Sequence, residues 1–232
     1  MSRRISIVIP TLNESRGIAS FLGLLQIFRQ RGHEIIVADG GSADETAALA
    51  MPLADRVMHT QPGRAAQMNA GAVAASGDVL FFLHADSQLP ERAGDIILHA
   101  LINSDRCWGR FDIRLFGPRR MFRVIEWFMN TRSKLTGVSS GDQGLFVERT
   151  LFESIGGYPA IALMEDIAIC VHLKKISPPI CLRDPIVTSS RRWEKHGVWR
   201  TIWLMWRLRF AYWRGVDPAA LARIYYPQST RG

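Results

Sequence analysis

Apolar and polar positions along this 232-residue chain alternate between two rhythms. Short candidate strands recur at Ile5–Ile9, Glu34–Ala38, Asp55–His59 and Val79–Leu83. Runs without internal alternation, Val79–Leu83 above all, predict strands buried on both faces, as in a parallel sheet covered by helices. Between them the period changes. Ile18, Phe21, Leu22, Leu25 and Phe28 recur at three- and four-residue steps and predict a helix. Ser42-Ala43-Asp44-Glu45 has capping-box spacing and predicts a helix start, running through about Met51. Gln61-Pro62-Gly63 turns the chain into a helix over Arg64–Ala75, closed by Gly77, and Ala93–Ile102 supplies the fourth. Four strand–helix alternations predict an α/β fold with a doubly wound, mainly parallel central sheet.

The second half is less regular. Trp108–Phe116 alternates like an antiparallel or edge strand, Gly117–Thr136 is basic and amphipathic, and Gly144–Val147 reads as a strand. Arg149–Ile155 predicts a short helix ended by Gly156-Gly157, and Glu165–Ile176 another. No stretch is rich enough in Pro, Gly or Ser to separate domains. The expected organisation is one domain over 1–196 and a basic, aromatic, amphipathic helical tail over 197–232 packed on it.

Composition narrows the class. Hydrophobic residues at 47% and charged residues at 22% suit a globular protein, not a disordered one. A net charge of +8 favours an anionic partner, whether nucleotide phosphates, nucleic acid or an acidic membrane surface, although solubility alone also accounts for it. Cys107, Cys170 and Cys181 are scattered, without the spacing of a disulfide framework or a cysteine zinc site, which makes a reducing cytosol the default. No signal-peptide core follows Arg3-Arg4, and no run reaches the roughly 18 apolar residues of a spanning helix.

Candidate chemistry collects where the predicted strands end. Thr11, Asn13 and Glu14 follow the first strand, Asp39 the second, and His84-Ala85-Asp86 the fourth, before the turn-forming Ser87-Gln88-Leu89-Pro90. The carboxyl ends of strands are where open α/β sheets bind ligands. An acid such as Asp39 there accepts hydrogen bonds from a ribose or base edge; an Asp-Gly pair is equally a common turn. Arg64 stands in the first turn of a helix, where backbone N–H groups and the dipole favour an anion and a guanidinium adds a fork for diphosphate oxygens. Gln67 and Asn69 follow, on the reading that they are helix-face polar residues as readily as site residues. Ser140-Gly141-Asp142-Gln143-Gly144 and the adjacent acids Glu165-Asp166 complete the set. Two acids at a helix start suit the dipole and suit a catalytic base, and the residues alone leave both readings open.

In order, Val8-Ile9-Pro10-Thr11-Leu12-Asn13-Glu14, Val37-Ala38-Asp39-Gly40-Gly41-Ser42, Phe82-Leu83-His84-Ala85-Asp86, Gly141-Asp142-Gln143, Glu165-Asp166 and Arg191-Arg192-Trp193 resemble the family 2 glycosyltransferases of the GT-A fold. The resemblance spans roughly Ile5–Trp193 and is closest to a bacterial subgroup of small members. It implies a donor site for a UDP- or GDP-linked sugar involving Pro10, Thr11, Asn13, Glu14, Asp39, Arg64, His84, Ala85 and Asp86. Within it, Asp39 would bind the nucleoside and Asp86 would be the metal-binding acid of the D-x-D motif, with Mg2+ or Mn2+. Asp166 would deprotonate the acceptor hydroxyl, giving inversion. Asp142, Gln143, Glu165, Arg191, Arg192 and Trp193 would lie near acceptor or diphosphate. The sequence departs from the pattern twice. The Q-x-x-R-W glutamine is missing, and His84 replaces the first aspartate of D-x-D. Histidine is a poorer ligand for magnesium and suits manganese better; the expected role of His84 is nonetheless to contact ribose or diphosphate, leaving Asp86 to hold the metal. His196 is a candidate second metal ligand, or equally a surface histidine at a helix start.

Trp199, Trp203, Trp206, Phe210 and Trp213 form one helical stripe among Arg200, Arg207, Arg209 and Arg214. Tryptophan with arginine suits the interface of an anionic bilayer; packing of the stripe on the sheet is the alternative. The expectation is a cytoplasmic enzyme, peripheral at the inner face of the membrane, with a hydroxyl acceptor that is lipid-linked and no nucleic-acid partner. The alternatives are a non-catalytic membrane- or nucleotide-binding module of the same fold, and a sugar nucleotidyltransferase. Against the latter stands Pro-Thr-Leu-Asn-Glu where a glycine-rich basic loop would be expected.

Overall fold

The computed structural model describes residues 3–190, 194 and 197–226. Its centre is an eight-stranded sheet in the order β3-β2-β1-β4-β7-β6-β8-β5. The strands are β1 (Ile5–Thr11), β2 (Glu34–Asp39), β3 (Arg56–His59), β4 (Val79–Phe82), β5 (Ser87–Gln88), β6 (Trp108–Leu115), β7 (Leu145–Glu148) and β8 (Ile180–Thr188). β3, β2, β1 and β4 run parallel, β7 lies antiparallel between β4 and β6, and β8 runs parallel to β6.

Burial on both faces explains the apolar runs. Ile5, Ile7, Ile9, Ile35, Val37, Val79 and Phe81 face one core, which α1 (Ile18–Gln30) and α4 (Ala93–Ile102) cover with Ile18, Phe21, Leu22, Leu25 and Ile97. Val8, Ile36, Leu80, Phe82, Leu145 and Val147 face a second core, closed by α3 (Arg64–Ala74), α6 (Arg149–Ser154) and α7 (Glu165–Lys174) through Met68, Phe152 and Ile169. The period-two alternation of each strand thus feeds two cores at once.

Three local readings change. Ser42 does not cap a helix: α2 covers only Thr46–Ala50, and the Ser42 hydroxyl donates instead to Asp39. Ser87–Gln88 is a short strand paired with β8, not only a turn. β8 itself is invisible to periodicity because Arg183-Asp184-Pro185 interrupts it. The register passes from Phe111 opposite Leu182 to Asp112 opposite Pro185, so Arg183 and Asp184 are looped out as a bulge and stay exposed.

The chain then adds α5 (Arg120–Thr136) against β6, and two C-terminal helices, α8 (Val198–Trp213) and α9 (Pro218–Tyr225). Leu208 of α8 and Leu221 of α9 pack with Leu163 and Met164, and Val198 and Ile202 pack with Phe122 and Ile125 of α5. β1 has β2 on one side and β4 on the other, so strand order reverses there. Such a switch point opens a crevice at the strands' carboxyl ends.

Candidate active site

Three loops leave the carboxyl ends of β1, β2 and β4 beside that switch point. The first two are stitched together. Asn13 takes a left-handed conformation (φ 56), and its side chain accepts from the Ala43 N–H at 2.9 Å while its own N–H donates to Ser42 Oγ at 2.8 Å. The Glu14 N–H donates to Thr46 Oγ1 at 2.8 Å. Asp39 lies beneath, fully buried, and accepts from Thr11 Oγ1 (3.2 Å), Gly41 N–H (3.2 Å) and both the N–H and hydroxyl of Ser42 (2.8 and 2.5 Å). Burial alone would raise its carboxyl, but the Ser42, Thr11 and Gly41 donors outweigh it and hold the group below the ordinary value. Asp39 therefore organises the loop from within. Pro10 is half-buried in β1, opposite Ala38 of β2.

Gln67 sews the other side. From α3 its amide donates to the carbonyls of Thr11 and Ala38, both at 2.8 Å, clamping the ends of β1 and β2. Asn69 brackets the backbone of Tyr158 with two 2.8 Å bonds. Neither is a helix-face bystander.

A cavity sits between the β4 loop and the start of α7, lined by Met68, Phe82, His84, Ser139, Ser140, Gly141, Leu145, Tyr158, Glu165, Asp166 and Ile169. Two acids open α7 after Met164, whose left-handed backbone (φ 71) turns the chain into the helix. Asp166 is half-buried, and its Oδ2 accepts the Gly141 N–H at 3.1 Å. Glu165 is buried; desolvation and the Asp166 charge push its carboxyl up, against the pull of Arg64. Arg64 is exposed as a residue; desolvation lowers its guanidinium, but Tyr226, Glu165, Asp142 and Asp166 raise it more. His84 lies over Gly141, with Nδ1 3.3 Å from Asp142 Oδ1. A Cβ on Gly141 would lie 2.5 Å from the imidazole, so the close approach requires glycine there.

His84, Glu165 and Asp166 thus line one cavity, with Asp142 beside His84 and the Arg64 charge within reach of Glu165, Asp142 and Asp166. Gln143 is fully buried beneath it, with its side-chain oxygen accepting from the Ser140 N–H at 3.1 Å. Ala85 packs against the first core. Asp86 is exposed in the turn after β4, with no hydrogen bond or ion pair among the described residues. A hard divalent cation needs only one or two protein carboxylates when substrate phosphates and waters complete its shell, so a free Asp86 suits that arrangement. Among the described residues no three His, Cys, Asp or Glu side chains converge as a closed metal cage. Arg191, Arg192, Trp193 and His196 lie outside the described residues.

Sequence reading missed Ser139, Tyr158 and Arg132. Burial and Arg209 bring the Arg132 guanidinium down to about 10, while Asp166 pulls it up. No motif marks these residues as a site: Arg132 comes from α5, Ser139 from the segment after it and Tyr158 from the loop after α6, and only the tertiary fold brings them near Asp166.

Solved structures share this architecture. A mannosyltransferase from Pyrobaculum calidifontis, solved in complex with GDP-Man and Mn2+, aligns over 91% of this chain and 61% of its own with a TM-score of 0.62 and 21% identity. Glucosyl-3-phosphoglycerate synthase from Mycobacterium tuberculosis, in complex with Mn2+, UDP and glucosyl-3-phosphoglycerate, aligns over 80% of this chain and 72% of its own, with a TM-score of 0.60 and 20% identity. The fold is the GT-A fold of such transferases. An undecaprenyl-phosphate 4-deoxy-4-formamido-L-arabinose transferase of Pseudomonas fluorescens is 29% identical over 65% of this chain and 49% of its own. The chain spans about half the length of the curated relatives it matches. The family model described as glycosyl transferase family 2 matches residues 6–150, more than half of the chain, and the chain belongs to that family of enzymes.

Proposed function

We propose that the protein is an inverting, metal-dependent glycosyltransferase that moves a sugar from a UDP- or GDP-linked donor to a hydroxyl acceptor, lipid-linked at an anionic membrane surface. The observation that carries the reading is Asp166: a half-buried carboxylate at the start of α7, aimed into the cavity and steadied by the Gly141 N–H at 3.1 Å. Oδ2 is held by Gly141 and Oδ1 by the Ile167 N–H at 2.8 Å, and each carboxylate oxygen keeps a second lone pair that can take a proton.

In this reading the nucleoside lies against the stitched loops of Thr11, Asn13, Glu14 and Ser42, whose shape Asp39 fixes from below. Arg64 reaches the diphosphate with a cationic fork. His84, pinned by Asp142, borders donor and acceptor. The acceptor oxygen bonds to the anomeric carbon as the bond to the diphosphate breaks, and its proton passes to Asp166, a transfer typically worth about 10²–10⁴-fold. Asp86 would hold Mg2+ or Mn2+, whose chemistry when bound is to neutralise charge on the leaving diphosphate. Arg191, Arg192 and Trp193 are assigned to acceptor and diphosphate, and His196 to the metal, on sequence alone. The lipid part of the acceptor is supported by the undecaprenyl-phosphate named for the Pseudomonas relative; the hydroxyl is assigned on the family resemblance alone.

The test separates binding from turnover. Nucleotide sugars are screened by thermal shift with Mn2+, and the best donor is assayed for hydrolysis or transfer with the wild type and Asp166→Asn. The expected result is unchanged nucleotide affinity with turnover reduced about 10²–10⁴-fold. Equal turnover would remove Asp166 as the base, and a fold that binds no nucleotide diphosphate would favour a non-catalytic module.

A further inference from the structure

The tryptophan stripe of α8 does not pack on the sheet. Trp199, Trp203, Trp206, Phe210 and Trp213 are 72, 63, 72, 60 and 77% exposed, whereas Thr201 and Leu208 on the opposite side of the helix are buried. At 3.6 residues per turn the five aromatics fall within about 80° of arc, a ladder roughly 21 Å long. Isolated exposed apolar residues need no explanation, but a contiguous ladder of large rings marks an interaction surface.

Its surroundings say what kind of partner. Arg200, Arg207, Arg209 and Arg214 are the charged residues of the stretch 198–216, with no acid among them. The Arg207 guanidinium lies 5.4 Å from the Trp203 ring centroid, keeping a cation beside the ladder. α5, which touches α8 through Phe122 and Ile125, also exposes Trp127 and Phe128, in edge contact at 4.9 Å. A second copy of this chain is a poor occupant, because a two-fold interface sets a patch against itself and would oppose arginine with arginine. No described helix is long and apolar enough to cross a membrane.

We propose that the exposed aromatic face of α8 docks the protein on an anionic lipid bilayer. The rings settle at headgroup depth and the arginines meet lipid phosphates. The other side of α8 sets the consequence for the site. Leu208 packs with Met164, the left-handed residue immediately before Glu165 and Asp166. Docking therefore sets the lipid surface on the side of α8 opposite its contact with the residue that precedes the acid pair. The inference deepens the reading of a lipid-linked acceptor and rests on it for its purpose, while the contact itself is scored without donor or acceptor.

The test is flotation of the full chain with vesicles of phosphatidylglycerol and phosphatidylcholine, against phosphatidylcholine alone, at low and high salt. Tryptophan emission is followed in parallel, and Trp203→Ser/Trp206→Ser and Arg200→Gln/Arg207→Gln/Arg214→Gln are compared with wild type. The expected result is binding to anionic vesicles only, with a blue shift, weakened by salt and by about tenfold or more in each variant. Melting temperature and donor-induced thermal shift stay unchanged, so misfolding and failure of the transferase reading are each seen separately. Absence of anionic-vesicle binding, or binding indifferent to both variants, overturns the proposal. So does a wild-type dimer lost in the tryptophan variant, or tighter binding to a single-stranded oligonucleotide abolished by it.

Discussion

The backbone N–H of Gly141 donates to the carboxylate of Asp166 at 3.1 Å, across 25 residues of chain. The turn of residues 141–143 and the first turn of α7 are held to each other by that bond, and His84 closes over Gly141 from the end of β4. One glycine thus joins the loop after β4 to the proposed base.

Asp86 is expected to act on metal-dependent binding alone. Because its side chain is exposed and unpaired among the described residues, Asp86→Ala leaves the fold intact. Nucleotide-diphosphate affinity in Mn2+ should fall about tenfold or more, equivalent to roughly 1.4 kcal/mol, with no change in EDTA. Titration calorimetry in the two buffers checks it; equal loss in both would show that Asp86 acts without a metal.

Glu165 should trade stability for its place in the site. Burial and Asp166 raise its carboxyl above the ordinary 4.5, so the folded state prefers it protonated. That contribution is fully present below pH 4.5 and is lost as pH rises through the folded value. Glu165→Gln should therefore raise Tm at about pH 7.5 by about 2–4 °C, what roughly 1 kcal/mol yields at this size, and not at pH 4. Melting curves at the two pH values decide it.

Glu34 runs the other way. Its buried carboxylate accepts from Ser6 Oγ at 2.6 Å and from Ser76 N–H and Oγ at 2.9 and 3.1 Å. Burial raises the group, but these bonds outweigh it and hold the carboxyl below 4.5. The stabilisation is present above pH 4.5 and is lost as pH falls through the folded value. Glu34→Gln should cost about 1–3 kcal/mol at neutral pH, a difference that shrinks in acid. Urea unfolding across that range measures it, and a pH-independent difference would point to packing.

Gly71 should reject the residue that helix propensity favours. Alanine in a helix interior usually gains about 1 kcal/mol over glycine. A Cβ here would lie 2.3 Å from Val8 Cγ1 in the middle of β1. Gly71→Ala is expected to destabilise by about 1–3 kcal/mol, since overpacking outweighs propensity. A variant that melts at or above wild type would show that α3 can move off the sheet.

Much of the first half was legible in the sequence because its signals are local. The non-alternating runs become β1, β2 and β4, buried on both faces, and the three- and four-residue steps become α1. The positions of Thr11, Asp39 and Asp86 at strand ends followed from that order. β8 stayed hidden because its looped-out Arg183 and Asp184 break the pattern, and only pairing with β6 makes it a strand. Ser42 misled because a hydroxyl with capping-box spacing found a stronger partner in buried Asp39.

By itself the sequence determined the fold class, the family and the roster of charged residues, since periodicity and short motifs are written in neighbouring positions. Tertiary structure alone decided that Gln67 clamps two strand ends, that Arg132 lies near Asp166, and that the α8 tryptophans face outward. A helical stripe fixes which residues share a face. Whether that face meets the sheet or the solvent depends on its packing partners, and here Leu163, Met164 and Leu221 hold the opposite side.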